Sequence, residues 1–329
     1  MPALIAHYLC GNAMLGLIEN EHFKDTILKY RNVFNLGTQG PDIFFYYGAW
    51  PWTKSESISK LGDRMHEEKT GEFILEALKY AAESCKASKD ILTAYMCGYL
   101  CHYILDCHTH PYIFYKTGFV RSGEEYTSKY TCCHRMFETA LDVLILKHYS
   151  GKKPSGFNAA LQIRISKQEA FAIGEMYSKV LSKVYAANVN TELVCRAIAD
   201  MAGITAALRD ITGIKKKLLS KLEKSLGKLP MFSSMIMPLE VKDGLDYLNS
   251  SHSAWHLPWD NTQELTSSFI ENFEAATAES KKAVEAMLLY ITGNNALESL
   301  IPLIGSRSFT TGKDCSLDLE FKYFDCIYE

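Results

Sequence analysis

The sequence predicts an all-α protein, and three observations carry that prediction. Most of the 329 residues repeat their apolar positions at three- and four-residue steps. The stretches rich in Gly and Pro fall between those segments rather than inside them. Alternation of apolar and polar residues is confined to the last few positions, "CSLDLEFKYFDCIYE", where a short strand or hairpin fits.

Taken in order, residues 3–18 read as an apolar helix closed by "ENE". A loop follows over 35–52, "NLGTQGPDIFFYYGAWPW", dense in Gly, Pro and aromatics. A helix is expected over 58–84. The next begins after Ser88 or Asp90, both good N-caps, and ends near His110, because Pro111 pushes the residue before it out of the α region. Helices over 131–149, stopping at Gly151, and over 168–186 and 191–229 follow. A Pro- and Met-containing connection covers 230–262, and the amphipathic pattern of 261–291 makes one more long helix. No repeat or low-complexity linker divides the chain. It therefore reads as a single domain: residues 1–150 form a metal-binding helical core, and 151–329 continue the helices with the tail packed back on them.

Composition narrows the function classes. Apolar residues are 47% and charged ones 22%, ordinary for a globular chain large enough to bury a substantial core. The net charge of −3 rules out a general pull toward nucleic acid or anionic membrane, and no specific nucleic-acid partner is predicted. Ten cysteines are many, but three share one helical pattern and Cys132 and Cys133 are adjacent, so they do not form a disulfide framework. The apolar N-terminus lacks a basic region of the secretory type, and a reduced, cytoplasmic setting is expected. No uninterrupted apolar run is long enough for a transmembrane helix.

One stretch breaks the apolar pattern: "GYLCHYILDCHTHPYI", residues 98–113. Its helix is apolar nearly all round and should be buried, yet it carries three histidines and an aspartate. His102, Asp106 and His110 are spaced by four and share a face. An unpartnered buried carboxylate costs several kcal/mol, and no Lys or Arg lies between Asp90 and Lys116 to offset it. A cation bound by imidazole and carboxylate offsets it, and that donor set suits zinc. His108 competes with His110, but it points about 160° away from the Asp106 stripe. In "HRMFE", His134 and Glu138 make a second pair four apart. His7 in the first helix, Asp42 in "GPD" and His66 extend the set. Several helices each offering ligands to one centre is how bundles hold metals. The plainer reading of each pair, a hydrogen-bonded core contact or a surface pair, stands beside this one.

The order "AHYLCGN", "GPD", a helical His, "HYILDCHTH" and "HRMFE" resembles the zinc-dependent phospholipase C superfamily, which also contains the fungal single-strand-specific nucleases. The H-x3-D then H-x3-E spacing is the specific part, and the resemblance covers about residues 1–150. "SAWHLPWD" ahead of the last long helix is similar to the C-terminal pattern of the cytoplasmic bacterial members. The resemblance implies a multi-helix bundle of that type and two or three Zn2+ ions. Asp42, His66 and His102 would hold one, Asp106 would bridge to a second that adds His7, and His110, His134 and Glu138 would hold a third. Secreted members complete the second site with an N-terminal tryptophan. This chain begins Met-Pro, so the site would be completed by the Pro2 amine after loss of Met1, by water, or left empty.

Such a centre implies phosphodiester hydrolysis of the phospholipase C kind. Metals about 3.5–4 Å apart share a hydroxide, and zinc lowers the pKa of bound water from about 15.7 to about 7. Asp42 and Asp106 are the candidate catalytic residues, the first orienting water and the second setting the spacing of the metal pair. Phe44, Phe45 and Tyr46 come just after Asp42 and are candidates for covering a choline-type headgroup, stacking a base, or packing the loop. Arg64 is a candidate phosphate contact. The alternatives are a nuclease or nucleotide phosphohydrolase, and a non-catalytic protein stabilised by its metal. Residues 214–229, "IKKKLLSKLEKSLGKL", are basic with spaced leucines, and peripheral membrane contact competes there with a solvated helix face.

Overall fold

The computed structural model of the protein describes residues 4–50, 52–53 and 58–329. Among these, fourteen α-helices and one two-stranded sheet make an all-α bundle. The first half contains α1 (Leu4–Leu17), α2 (Glu21–Lys29), α3 (Arg31–Gly37), α4 (Ile43–Tyr46), α5 (Ser59–Glu67), α6 (Thr70–Glu83), α7 (Lys86–Thr117) and α8 (Lys129–Ser150). The second half contains α9 (Ala159–Gln162), α10 (Lys167–Tyr185), α11 (Thr191–Leu208), α12 (Ile214–Ser225), α13 (Phe269–Ile291) and α14 (Ile301–Ile304). The strands β1 (Trp255–Leu257) and β2 (Asp260–Leu265) pair antiparallel.

Helix α7 is the axis. It is buried on every side from Ile91 to Asp106, and α1, α3, α6, α8, α10 and α13 pack around it. The apolar surround expected of that segment thus has a physical counterpart. The helix meets α3 backbone to backbone. A β-carbon on Gly37 would strike the Tyr95 carbonyl, and one on Gly98 would strike the Phe34 carbonyl. This two-glycine crossing brings the turn after α3 down onto His102. Helix α1 is held from the other side, where Asp142 of α8 accepts the N–H groups of Ile5 (3.2 Å) and Ala6 (2.8 Å). A side-chain acceptor at that position satisfies free donors of the first turn.

Several expected boundaries move. Helix α7 does not end near His110; it starts at Lys86 and runs through Pro111 to Thr117, where Gly118 takes a φ of 72°. Proline frees the carbonyl four residues back, that of Cys107. Gly312 lays its backbone against that oxygen, so the chain supplies a neighbour where the helix lost one. The expected loop over 35–52 contains the last turn of α3, a 3-10 turn at Gly40–Asp42 and α4. The single helix expected over 58–84 is two, because Lys69 turns left-handed (φ 50°) between α5 and α6. That expected over 191–229 is also two. Asp210 accepts the N–H groups of Thr212, Gly213 and Lys216 there, closing a turn that starts α12.

Residues 261–265 belong to β2 rather than to the last long helix. That helix begins at Phe269, behind a capping box of Ser268 and Glu271. The sheet thus lies in the expected connection. The tail bonds the β1–β2 turn, with Lys322 and Tyr323 donating to the Pro258 carbonyl, and α7, with Asp325 donating to the Tyr115 carbonyl and Ile327 to that of Lys116. No described helix is long and apolar enough to cross a membrane.

Candidate metal centre

Four histidines of the centre meet a partner at Nδ1, whereas the buried Nδ1 of His7 makes no hydrogen bond. His102 has its Nδ1 at 3.2 Å from the Thr38 carbonyl, the contact set up by the glycine crossing. His66 uses the Gly62 carbonyl one turn back in α5 (2.7 Å), and His110 uses the Phe309 carbonyl (3.0 Å). His134 faces the Thr117 hydroxyl at 3.5 Å. A carbonyl only accepts, so in the first three rings Nδ1 carries the proton and Nε2 of the neutral ring is a lone pair. Outer-shell bonds of this kind orient metal-ligating imidazoles.

The Nε2 atoms point at carboxylates. His66 Nε2 lies 3.2 Å from Asp42 Oδ1, and His102 Nε2 lies 3.1 Å from Asp106 Oδ2. His7 Nε2 meets the other oxygen of Asp106 at 3.2 Å. His134 Nε2 stands 3.2 Å and His110 Nε2 3.7 Å from Glu138 Oε1. The donors form three groups, each with its ligand atoms within 4.8 Å: His7, His102 and Asp106; Asp42, His66 and His102; His110, His134 and Glu138. The His7 and His102 rings stack at 4.2 Å, so the first two groups are neighbours.

His102 decides whether the residues fit a metal. Burial lowers its pKa, against the pull of Asp106, so the ring is neutral near pH 7. Its fully buried Nε2 makes no hydrogen bond, although a carboxylate oxygen is 3.1 Å away. A lone pair facing a carboxylate repels it, and a cation between them reverses the sign. Burial also pushes Asp106 up, but its neighbours, His110 foremost, outweigh it and hold the carboxyl well below its usual range. Asp42 and Glu138 are likewise held low against burial, with His66 the strongest partner of the first and His134 and His110 among those acting on the second. Three anionic carboxylates with imidazole lone pairs make a donor set for dications.

The sequence profile of a family described as zinc dependent phospholipase C matches residues 1–192. The chain belongs to the zinc-dependent phospholipase C family. No curated protein and no solved structure matches it. The matched stretch contains all eight residues expected as ligands of this family member, and its grouped His, Asp and Glu side chains can hold metal.

For this member of the family, the structure also sorts the candidates. His108 is engaged elsewhere: its Nε2 bonds Glu279 at 2.7 Å, whose other oxygen takes Arg307. His110 is the one that faces Asp106 and Glu138. Of the three loop aromatics, only Phe45 faces the centre, with its ring 5.5 Å from His66. Phe44 is buried edge-on against Tyr177, and Tyr46 lines a different cavity beside Asp142. The cause is that 43–46 is helical, so successive side chains fan out by about 100°. Arg64 does not reach the centre; it is exposed and pairs with Glu68. Pro2, a candidate for completing the second group, lies outside the described residues.

The centre opens into a cavity of about 290 Å³ that Asp63, Glu67, Phe114 and Thr310 also line. These four were not anticipated. Asp63 had a readable signal, standing one turn before His66, whereas Thr310 comes from the far end of the chain. The cavity shares residues with an open groove of about 720 Å³, walled by Phe114, Phe119, Val120, Leu319 and Phe321.

Proposed function

We propose that the protein hydrolyses phosphodiesters of the phospholipid type. The carrying observation is the buried, orphaned Nε2 of His102 among three donor groups around one cavity. In this reading Asp42, His66 and His102 hold one zinc, Asp106 reaches a second with His7, and His110, His134 and Glu138 hold a third. Bound there, zinc supplies Lewis acidity toward phosphate oxygens and lowers the pKa of water to about 7.

The chain's own residues do the positioning. Asp42 faces the cavity and accepts a hydrogen bond from the attacking water, turning its oxygen toward phosphorus. Asp106 ties His7 and His102 together through separate oxygens, which sets the spacing of the first two groups. Water's oxygen joins phosphorus, the bond to the alcohol oxygen breaks, and the alcohol leaves with a proton. The products are a phosphomonoester and a neutral alcohol.

Two features of the cavity mouth favour lipid over nucleic acid. Asp63 and Glu67 repel the flanking phosphates of a polynucleotide but not a single phosphate with a neutral or cationic head. The groove wall of Phe114, Phe119, Val120, Leu319 and Phe321 offers apolar surface to a glyceride body. The test is protein of measured zinc content assayed on phosphatidylcholine, phosphatidylinositol, single-stranded DNA and a nitrophenyl phosphodiester. Lipid turnover that tracks zinc is expected. Faster cleavage of DNA, or one tight zinc with no turnover of any diester, overturns the reading.

A further inference from the structure

Helix α12 is built inside out. Its only buried residue is a carboxylate, Glu223, which turns inward to accept the N–H groups of Phe232 (2.6 Å) and Ser233 (3.3 Å). Lys216 also turns inward and donates to the carbonyls of Ser233 and Ile236. The helix is thus latched to the turn after it by polar groups, while Ile214, Leu218 and Leu222 face solvent. Ile214, Leu218, Leu222 and Leu226 step by four along one stripe, and Leu218 is 63% exposed. Ile211 extends the patch at one end, and Met231 and Phe232, the latter 60% exposed, extend it at the other.

The charges around that patch have one sign. Lys217, Lys221, Lys224 and Lys228 are exposed beside the leucines. The segment's one acid, Glu223, is withdrawn into the turn, and Asp210 just before it turns into the loop that starts the helix. The patch also borders the groove. Arg135, which lines the groove next to His134, reaches the Met231 carbonyl at 3.5 Å, and Cys132 contacts the Met231 sulfur at 3.5 Å.

We propose that residues 211–232 dock the protein on the interface of a bilayer containing anionic phospholipid. The leucine stripe and Phe232 enter the headgroup boundary, and the lysines meet lipid phosphates and carboxylates. This places the groove mouth against the surface that holds the lipid. The purpose of the docking rests on the phospholipid reading above, but its test does not. Charge decides between occupants. A second copy on a twofold axis would set the same lysines against each other. A nucleic acid would satisfy the lysines and leave the leucines in water.

The test is flotation of the full, zinc-loaded chain with vesicles of phosphatidylcholine alone or mixed with phosphatidylserine. Binding to the mixed vesicles that weakens with salt is expected. A Leu218→Ser, Phe232→Ser variant and a Lys221→Glu, Lys224→Glu variant should each bind on the order of tenfold more weakly. All four side chains are exposed, so both variants should keep the parent's melting temperature and its rate on a soluble nitrophenyl diester. No binding by the parent overturns the proposal, as does parent-level binding by both variants. A dimer dissociated by the Leu218→Ser, Phe232→Ser change, or DNA binding lost with the lysines, without vesicle binding, also overturns it. Vesicle binding with no lipid hydrolysis supports the docking and sinks only the substrate reading.

Discussion

Gly40 lies flat against the His102 imidazole with a φ of 50°, and a β-carbon there would overlap the ring. The residue two places after Thr38 therefore has two reasons to be glycine. One is the left-handed backbone, which costs other residues roughly 1–2 kcal/mol. The other is the ring that must pass. Gly40→Ala is expected to turn His102 off the Thr38 carbonyl and to lower zinc content by at least one ion, read by plasma emission. Full zinc content would mean that this contact does not orient the ligand.

Asp106 and Glu138 differ in what depends on them. Asp106 contacts His7 and His102 through different oxygens, whereas Glu138 serves His110 and His134 through one. Asp106→Asn is expected to release zinc from two groups and Glu138→Gln from one. Equal losses in the two variants would contradict the bridging role.

Metal removal should expose a pH dependence that the loaded protein lacks. Burial lowers the His110 pKa, but Asp106 and Glu138 outweigh it and push it up to about 9. A raised folded pKa contributes stability that is complete below the unfolded value of about 6.5 and is lost as pH rises through about 9. Asp106 and Glu138 are held low, so their contribution is present above about pH 4 and is lost as pH falls below it. Chelator-treated protein should therefore be most stable near pH 5–6.5 and weaken toward pH 9, by urea melts. Zinc binding at pH 7 should also release the His110 proton, read by titration calorimetry in buffers of different ionisation enthalpy. A flat melting profile between pH 6.5 and 9 would contradict the His110 assignment.

Phe44 and Phe45 are neighbours with opposite duties. Phe44→Ala empties a fully buried place against Tyr177 and should cost about 3–5 kcal/mol, read from urea unfolding. Phe45→Ala removes a half-exposed ring at the cavity and should cost under about 1 kcal/mol while raising KM. A Phe45→Ala variant with unchanged KM would remove that ring from the substrate's path.

Gly312 holds a second point of the centre in place. Its backbone covers the Cys107 carbonyl that Pro111 frees, and the same loop carries the Phe309 carbonyl bonded to His110. Gly312 has a φ of 66°, so Gly312→Ala adds a strained backbone to the collision. A loss of about 2 kcal/mol or more is expected, with weakened zinc in the His110 group, read by denaturant melts and competition with a chromogenic chelator. An unchanged melt would show that the loop closes without this contact.

The helical repeat by itself determined which acids and imidazoles can meet within a helix. His102, Asp106 and His110, and likewise His134 and Glu138, fall on common faces because four residues nearly complete a turn. The buried character of α7 was legible in its apolar surround. Only the tertiary structure decided which nitrogen of the His102 and His110 rings is free, because the carbonyls that hold Nδ1 come from Thr38 and Phe309, 64 and 199 residues away. It also decided that α7 passes Pro111, since the group that meets the freed carbonyl sits on the last loop, and that one aromatic of three faces the cavity. Periodicity acts over a single turn, and these outcomes depend on contacts between segments that no local pattern records.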